Sequence, residues 1–522
     1  MDWSLLNFAR SALAVLLSLL LILYWYIRIP HDMPQNIPTV PIYISIMGLW
    51  SDMGQDDIYD KWLRPKLEKY GAVKIWFAGR WNVLATRPRL LVDMFRHEDV
   101  YAKAGSQKKI PWSVIASLVG DNIINAHGEN WKLYTSIMKP GLQRRITDSG
   151  PLLLKSRRFV DVLIEEQESL DSGGVMVNPI IQRWALSCMG INFMNVDLEC
   201  LEKPGQRLEQ LQTIIKKTLF KPLFFNFPDL DRYPTLFPQR ATAFSIMQEF
   251  GDLIVETVKQ RIQTTDADGE QVVDGLDKAL STGEITTEQY RANLKVTFLT
   301  AHENAQQLLN SAIWVLGSNT TVQNKLRAAV LSLSTSNPTT DQINSLPYLY
   351  AVILELLRLY PPVSQLINRL FWAAKSPFRI TRGWGGMRTG YTRTRMFGEA
   401  MRGHSGLRGG GDDVKGIHGA VRSKTVQCHF IAFNAHSRKC LGQGFAVLQM
   451  KICLFEMVRR LVWIVDPDYE LKLTSVSSLE VAFAVGGIMA PLGLSAIITE
   501  RVEGEMMEKE EQGEDSMMTG DN

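Results

Sequence analysis

A mainly α-helical fold with a small β region, preceded by one membrane-spanning helix, is what this sequence predicts. Three observations carry that expectation. Apolar runs of helical length recur at Leu153 to Glu165, Phe244 to Ile262, Leu294 to Leu316 and Phe445 to Val465. Strand-like stretches are confined to Ala72 to Ala85 and to the region from Ser475 to Ile498. An uncharged stretch from Ser11 to Ile27, dominated by Leu, Val, Ile and Ala, ends in Tyr24-Trp25-Tyr26.

That last stretch is at the short end for a membrane span, and its aromatic exit suits an interfacial belt. A cleaved signal peptide is the competing reading, but no small-residue cleavage site follows. Instead come Arg28-Ile29-Pro30 and then Pro34, Pro38 and Pro41, a stiff link. We therefore divide the chain into an anchor (1–28), a proline-bearing linker (29–45) and a main domain (46–499). The final residues, 500–522, are rich in Glu and Met and read as a disordered tail. No internal repeat is present.

At 522 residues the chain is long for one domain, although single domains of this size exist. With 46% hydrophobic and 21% charged residues it has an ordinary globular composition. A net charge of +3 is too small to suggest a nucleic-acid partner. The cysteines (Cys188, Cys200, Cys428, Cys440, Cys453) are too few and scattered for a disulfide framework. They fit a reducing compartment, where a free thiolate survives as a ligand.

Three motifs carry chemistry. Within the apolar run from Leu294, Thr300-Ala301-His302-Glu303-Asn304 sets a carboxylate beside a hydrogen-bonding side chain, which suits proton delivery. The bland alternative is a polar kink facing solvent. Glu355 and Arg358 lie three apart on one helix face and can pair. A surface salt bridge would be worth little, but their neighbours are apolar, and a buried pair needs its other hydrogen bonds satisfied. The stop at Tyr360-Pro361-Pro362 closes that helix. The third motif is Phe433-Asn434-Ala435-His436-Ser437-Arg438-Lys439-Cys440-Leu441-Gly442. A lone cysteine in a helical chain is most often structural and buried. A zinc set of Cys428, His429, His436 and Cys440 is another reading, although such sites usually come in paired short spacings.

In this order and at about this spacing, the three motifs resemble those of the cytochrome P-450 family: A-G-x-[DE]-T, E-x-x-R and F-x-x-G-x-R-x-C-x-G. The resemblance implies the P-450 fold and haem b, with iron ligated axially by the Cys440 thiolate. Electron density pushed from such a thiolate favours O–O cleavage. By position, Arg438, Trp131 and Arg369 match residues that meet haem propionates, and Gly442 a tight turn. His436 stands where the family has glycine. Thr135 replaces an arginine, for which Lys132 is a candidate substitute. Glu303 matches the distal acid, and Asn304 stands where threonine is usual. An NADPH-dependent cytochrome reductase and the endoplasmic reticulum membrane, with a single-pass anchor and a cytosolic domain, follow from the same resemblance.

Met33 to Pro41, Glu68 to Lys74, Gln107 to Pro111, Gly120 to Ile124 and the His302-Glu303-Asn304 variant resemble in particular a fungal group. These are the N-formyltyrosine oxidases that form dityrosine for spore walls, with relatives in clusters modifying tyrosine-derived isocyanides. The implied activity is monooxygenation of a small phenolic, tyrosine-derived substrate, by coupling or hydroxylation. Lys108 and Lys109 fall in the stretch that resembles the family's substrate-recognition loop, where a cation could meet a substrate carboxylate. Adjacent lysines are more often simply solvated. The run Leu219 to Phe225 sits where the family's membrane-facing loop would lie.

From Ser376 to Lys424 the resemblance stops and the chain turns Gly- and Arg-rich. The β-hairpin and the P-E-R-F/W segment expected there, whose arginine completes the Glu355–Arg358 triad, are not legible. The stretch reads as translated out of frame or as part of a decayed gene, with an RNA-binding insert as the alternative. A catalytically impaired relative that keeps the fold but binds haem poorly is a further reading, favoured by His436 and Thr135.

Overall fold

The computed structural model describes residues 3–501 apart from 32, 99, 104, 220, 262–270, 364–416, 418–420, 423–429, 472–480, 483–485 and 488–489. Arg369, Cys428, His429 and nearly all of the Gly/Arg-rich stretch therefore lie outside the described residues.

Helix α1 (Trp3–Ile27) contains the apolar segment Asn7–Ile27, long and apolar enough to cross a membrane and unburied by the rest of the chain. Its end is bonded to the globular part. Tyr26 donates its hydroxyl proton to Asp229 at 2.9 Å, and Trp81 Nε1 donates to the Ile27 carbonyl at 2.7 Å. The Tyr26 ring also meets Trp76 edge-on, with centroids 5.7 Å apart. The proline link does not hang free. Val40 N–H donates to Lys74 O, and Lys74 N–H donates to Pro38 O, which stitches it to the first strand.

That strand, β1 (Ala72–Phe77), pairs antiparallel with β2 (Arg80–Ala85) in the register Ala72↔Ala85 to Phe77↔Arg80. The hairpin fills the Ala72–Ala85 stretch predicted as β. Its two-residue turn puts Ala78 and Gly79 at φ 50° and 72°, the twist a tight hairpin requires. A Cβ on Gly79 would also strike Pro228 at 2.3 Å.

Helices then follow: α2 (Pro88–Arg96), α3 (Val114–Val119), α4 (Glu129–Leu142), α5 (Gly150–Glu168), α6 (Val177–Met189), α7 (Arg207–Leu219), α8 (Pro238–Lys259) and α9 (Val272–Ser281). After them come α10 (Thr287–Gly317), α11 (Thr320–Leu331), α12 (Pro347–Leu359) and α13 (Gln443–Arg460). Phe159, Trp184, Phe298, Leu309 and Phe455, from α5, α6, α10 and α13, belong to one buried apolar cluster. At 31 residues α10 is about 46 Å long. It starts at a capping box, in which Thr286 Oγ1 accepts from Gln289 N–H and Gln289 Oε1 accepts from Thr286 N–H. Asn293 Oδ1 accepts from Ile123 N–H and Lys295 Nζ donates to Ser117 O, so α10 also fixes the segment around α3.

The helix predicted to run through Val465 ends at Arg460. Leu461–Val465 is strand β4, paired antiparallel with β5 (Ser495–Glu500), and Val175–Met176 (β3) joins on β5's other edge. Leu-Val-Trp-Ile-Val is β-branched and aromatic, and it alternates inward and outward as a strand does. Buried Arg327 completes the switch, since its guanidinium donates to Val458 O and Leu461 O, both at 2.9 Å. The carbonyls that the helix end leaves unpaired are thereby satisfied.

Candidate active site

Cys440 is the exposed cysteine among the described ones, whereas Cys188, Cys200 and Cys453 are buried. Its loop is closed by Cys440 N–H donating to Phe433 O at 2.8 Å. Asn434 and His436 lie at φ 62° and 52°, the left-handed region that glycine enters freely. This gives a physical reason for glycine in the family pattern at His436, whose side chain here stacks on Phe95 with centroids 5.8 Å apart. Protein atoms crowd the sulfur enough for desolvation to push the Cys440 thiol up, against the Gly442 N–H and the Lys439 cation. Burial pushes Cys200 up to about 12 and raises Cys188 and Cys453 as well, with nearby carboxylates adding to it.

Arg438 sits two residues before Cys440. It grips both Glu98 oxygens at 3.1 Å, donates to Ala126 O at 3.2 Å, and lies 4.1 Å from the Trp131 ring centroid. The structure thus brings together Trp131 and Arg438, two residues singled out from sequence. Glu98 was not foreseen, because nothing local marks it. Thr135, one helical turn beyond Trp131 on α4, is buried at Oγ1 and makes no hydrogen bond there. Lys132 pairs with Glu129 at 2.8 Å at the surface.

The motif with the candidate distal acid lies on α10. Its middle is continuous helix, and His302 and Glu303 are buried, so the solvent-facing kink does not occur. Thr300 Oγ1 donates to Val296 O, and Asn304 Nδ2 donates to Thr300 O at 3.2 Å. Asn304 Oδ1 remains buried with no hydrogen-bond partner. Burial lowers the His302 pKa to about 3, so the imidazole is neutral, with Nδ1 2.6 Å from Phe298 O. Glu303 Oε1 lies 3.7 Å from Lys216 Nζ of α7, a partner that local sequence does not announce.

Elsewhere, Glu355 and Arg358 form the expected pair, at 2.7 and 2.8 Å and largely buried. Lys109, in the turn Ser106–Lys109, is lowered to about 8 by burial and by Arg80, which donates to its carbonyl; Lys108 is exposed.

A mainly helical chain with small antiparallel sheets, a long helix carrying a buried acid and an open cysteine in a loop before a core helix define the haem-thiolate class. The cytochrome P450 family model matches residues 38–371, and the chain belongs to that family. The Cys440 loop lies beyond the matched residues. The chain is 53% identical to Cytochrome P450 monooxygenase xanG of Aspergillus fumigatus, over 88% of each chain. It is 31% identical to Cytochrome P450-DIT2 of Saccharomyces cerevisiae, over 90% of this chain and 95% of that one. A solved cytochrome P450DA haem domain shares the fold, with a TM-score of 0.64 at 17% identity over 90% of this chain and 98% of that one.

The protein is a cytochrome P450 monooxygenase, and its cofactor is haem b with iron ligated by a cysteine thiolate. The residues present fit that group. The Cys440 sulfur has a backbone N–H to stabilise its charge, and Arg438 already binds a carboxylate in the bidentate manner a propionate would use. The enzyme takes its electrons from a redox partner and acts on a small molecule.

Proposed function

We propose that this enzyme is membrane-anchored and oxidises a small phenolic, tyrosine-derived substrate by coupling or hydroxylation, in fungal secondary-metabolite or spore-wall biosynthesis. The observation that carries the reading is that one chain has both an exposed Cys440 in its loop and, on α10, a buried Glu303 beside Asn304, whose Oδ1 is buried without a partner. Similarity to xanG and to DIT2 supports the fungal context that the sequence motifs suggested. Helix α1 is the anchor, placed in the endoplasmic reticulum with the domain cytosolic, where an NADPH-dependent reductase supplies electrons.

Haem b, when bound, supplies the activation of dioxygen and the oxidising power. Cys440 supplies the thiolate that holds its iron, for which metal coordination removes the thiol proton outright. Trp131, Arg438 and Arg369 would hold the propionates. Glu303 delivers protons, and Asn304 positions a water at its unpaired Oδ1, because an amide gives up a proton less readily than an alcohol does. A catalytically impaired relative is the second reading, favoured by His436 in a left-handed conformation and by Thr135 in place of a cation.

Purified full-length chain, reductase, NADPH and N-acyl tyrosine separate the two readings by product mass. Two substrates joined with loss of two hydrogens, or one substrate plus oxygen, is the expected result. An intact thiolate-type carbon-monoxide spectrum with no turnover of any tyrosine-derived phenol would reject the substrate class. Absence of that spectrum would favour the impaired relative.

A further inference from the structure

Helix α7 carries two polar side chains that the reaction as described leaves unused. Gln212 and Lys216 are four residues apart, one turn on the same face. Gln212 is 0% exposed, and neither its amide nitrogen nor its amide oxygen has a hydrogen-bond partner. Buried amides are almost always satisfied, so an amide bare at both ends marks a place held for something else. Lys216 is also inside, with its side chain 10% exposed. Its ammonium approaches Glu303 Oε1 at 3.7 Å, which is ion-pair distance but too long for a hydrogen bond.

The charges around this pair are unbalanced for hydrogen bonding rather than in sign. Lys216 offers three N–H donors and Gln212 two. His302, the next polar group on α10, is neutral and turned to its own backbone, with Nδ1 2.6 Å from Phe298 O. Among the described residues, no acceptor within hydrogen-bond distance serves either α7 side chain. Carboxylate oxygens are what such a set of donors accommodates, and charge-assisted bonds to them are the strong ones.

We propose that Gln212 and Lys216 form the recognition site for a carboxylate on the aromatic substrate. Lys216 is shared between that carboxylate and Glu303. This deepens the proposed function and rests on its reading that the Glu303 face of α10 borders the substrate. It also separates the two lysine sets of the chain, because Lys216 on α7 has the buried acceptor-poor setting that exposed Lys108 lacks.

The test uses the haem-loaded full chain and four probes: N-acetyl-L-tyrosine, N-acetyl-L-phenylalanine, N-acetyltyramine and N-acetylphenethylamine. They combine presence and absence of phenol with presence and absence of carboxylate. Dissociation constants come from calorimetry, alongside the substrate-induced absorbance change. Both carboxylates are expected to bind roughly 10- to 100-fold tighter than their carboxylate-free partners, the range for hydrogen bonds to charged groups. Lys216→Met removes that preference, Lys216→Arg keeps most of it, and Gln212→Leu reduces it. Glu303→Gln increases it by removing the resident competitor, a result that mere structural support by Lys216 would not give. Equal binding with and without carboxylate, a preference that survives Lys216→Met, or no binding of any probe overturns the site. A carboxylate preference without a phenol preference leaves the site standing and rejects the phenolic substrate. The converse rejects the site and keeps the phenol.

Discussion

The Cys440 loop and the middle of α10 both hold a buried ion pair, and they hold it differently. Arg438, with its side chain 5% exposed, closes on both oxygens of Glu98 at 3.1 Å and is backed by the Trp131 ring. Lys216 only approaches Glu303, at 3.7 Å. Unfavourable energy also resides in different places. In the loop it includes the backbone, at the positive φ of Asn434 and His436, beside a bare His436 Nε2. On α10 the backbone is regular helix, and the cost is in buried polar atoms such as Asn304 Oδ1. A clamp built on backbone strain suits a group that must stay put. Under-satisfied side chains suit groups that must exchange partners and protons.

The comparison breaks most visibly at the sulfur. Cys440→Ser is expected to abolish the thiolate-type spectrum of the reduced carbon-monoxide complex. Retention of that spectrum would move the ligand to another cysteine and leave the loop without its role.

On the α10 side the effect is partial. Glu303→Gln should leave haem binding and the substrate-induced spectral change in place while turnover falls roughly 10²-fold, the usual loss when a general acid is removed. Electrons would then be diverted to peroxide. Steady-state rates with peroxide measured in parallel check this, and unchanged turnover with unchanged coupling would place proton delivery elsewhere.

A smaller effect is expected from Glu98→Gln, which takes the carboxylate from Arg438 and from Ser437 Oγ. Denaturant unfolding of the haem-free chain should show a loss of about 2 kcal/mol, in the range for hydrogen bonds to charged groups. The haem-loaded chain should lose less if a propionate takes the place of Glu98. Equal losses in the two forms would separate Arg438 from the propionates.

The smallest change sharpens the idea of backbone strain. His436→Gly removes a left-handed penalty of about 1 kcal/mol and a ring stack on Phe95 of about 0.5 kcal/mol. A net gain of about 0.5 kcal/mol in unfolding free energy is the expected balance. A less stable variant would mean that the stack outweighs the strain.

What the sequence revealed and what it hid follow the same division. The β1–β2 hairpin, the apolar stretch within α1, the core of α10 and the Glu355–Arg358 pair were all legible, because each depends on neighbours a few residues away. Strand β4 was read as helix because Leu461–Val465 continues an apolar run without a break. What ends α13 is Arg327, far off in the sequence, bonding its last carbonyls. Glu98 and Lys216 were missed for a similar reason. Each is an ordinary charged residue in its own surroundings, and only the fold puts it beside Arg438 or Glu303.

The bonds from Tyr26 to Asp229 and from Trp81 to Ile27 tie the end of α1 to the globular part. The apolar part, Asn7–Ile27, is about 31 Å long, close to the hydrocarbon thickness of a bilayer, about 30 Å. A helix so matched answers a thinner membrane by tilting. In the proposed anchoring, the tilt of the helix is also the tilt of the enzyme. Lipid composition would then set the angle at which the catalytic body leans over the membrane plane, and with it the face presented to a reductase diffusing in the same sheet.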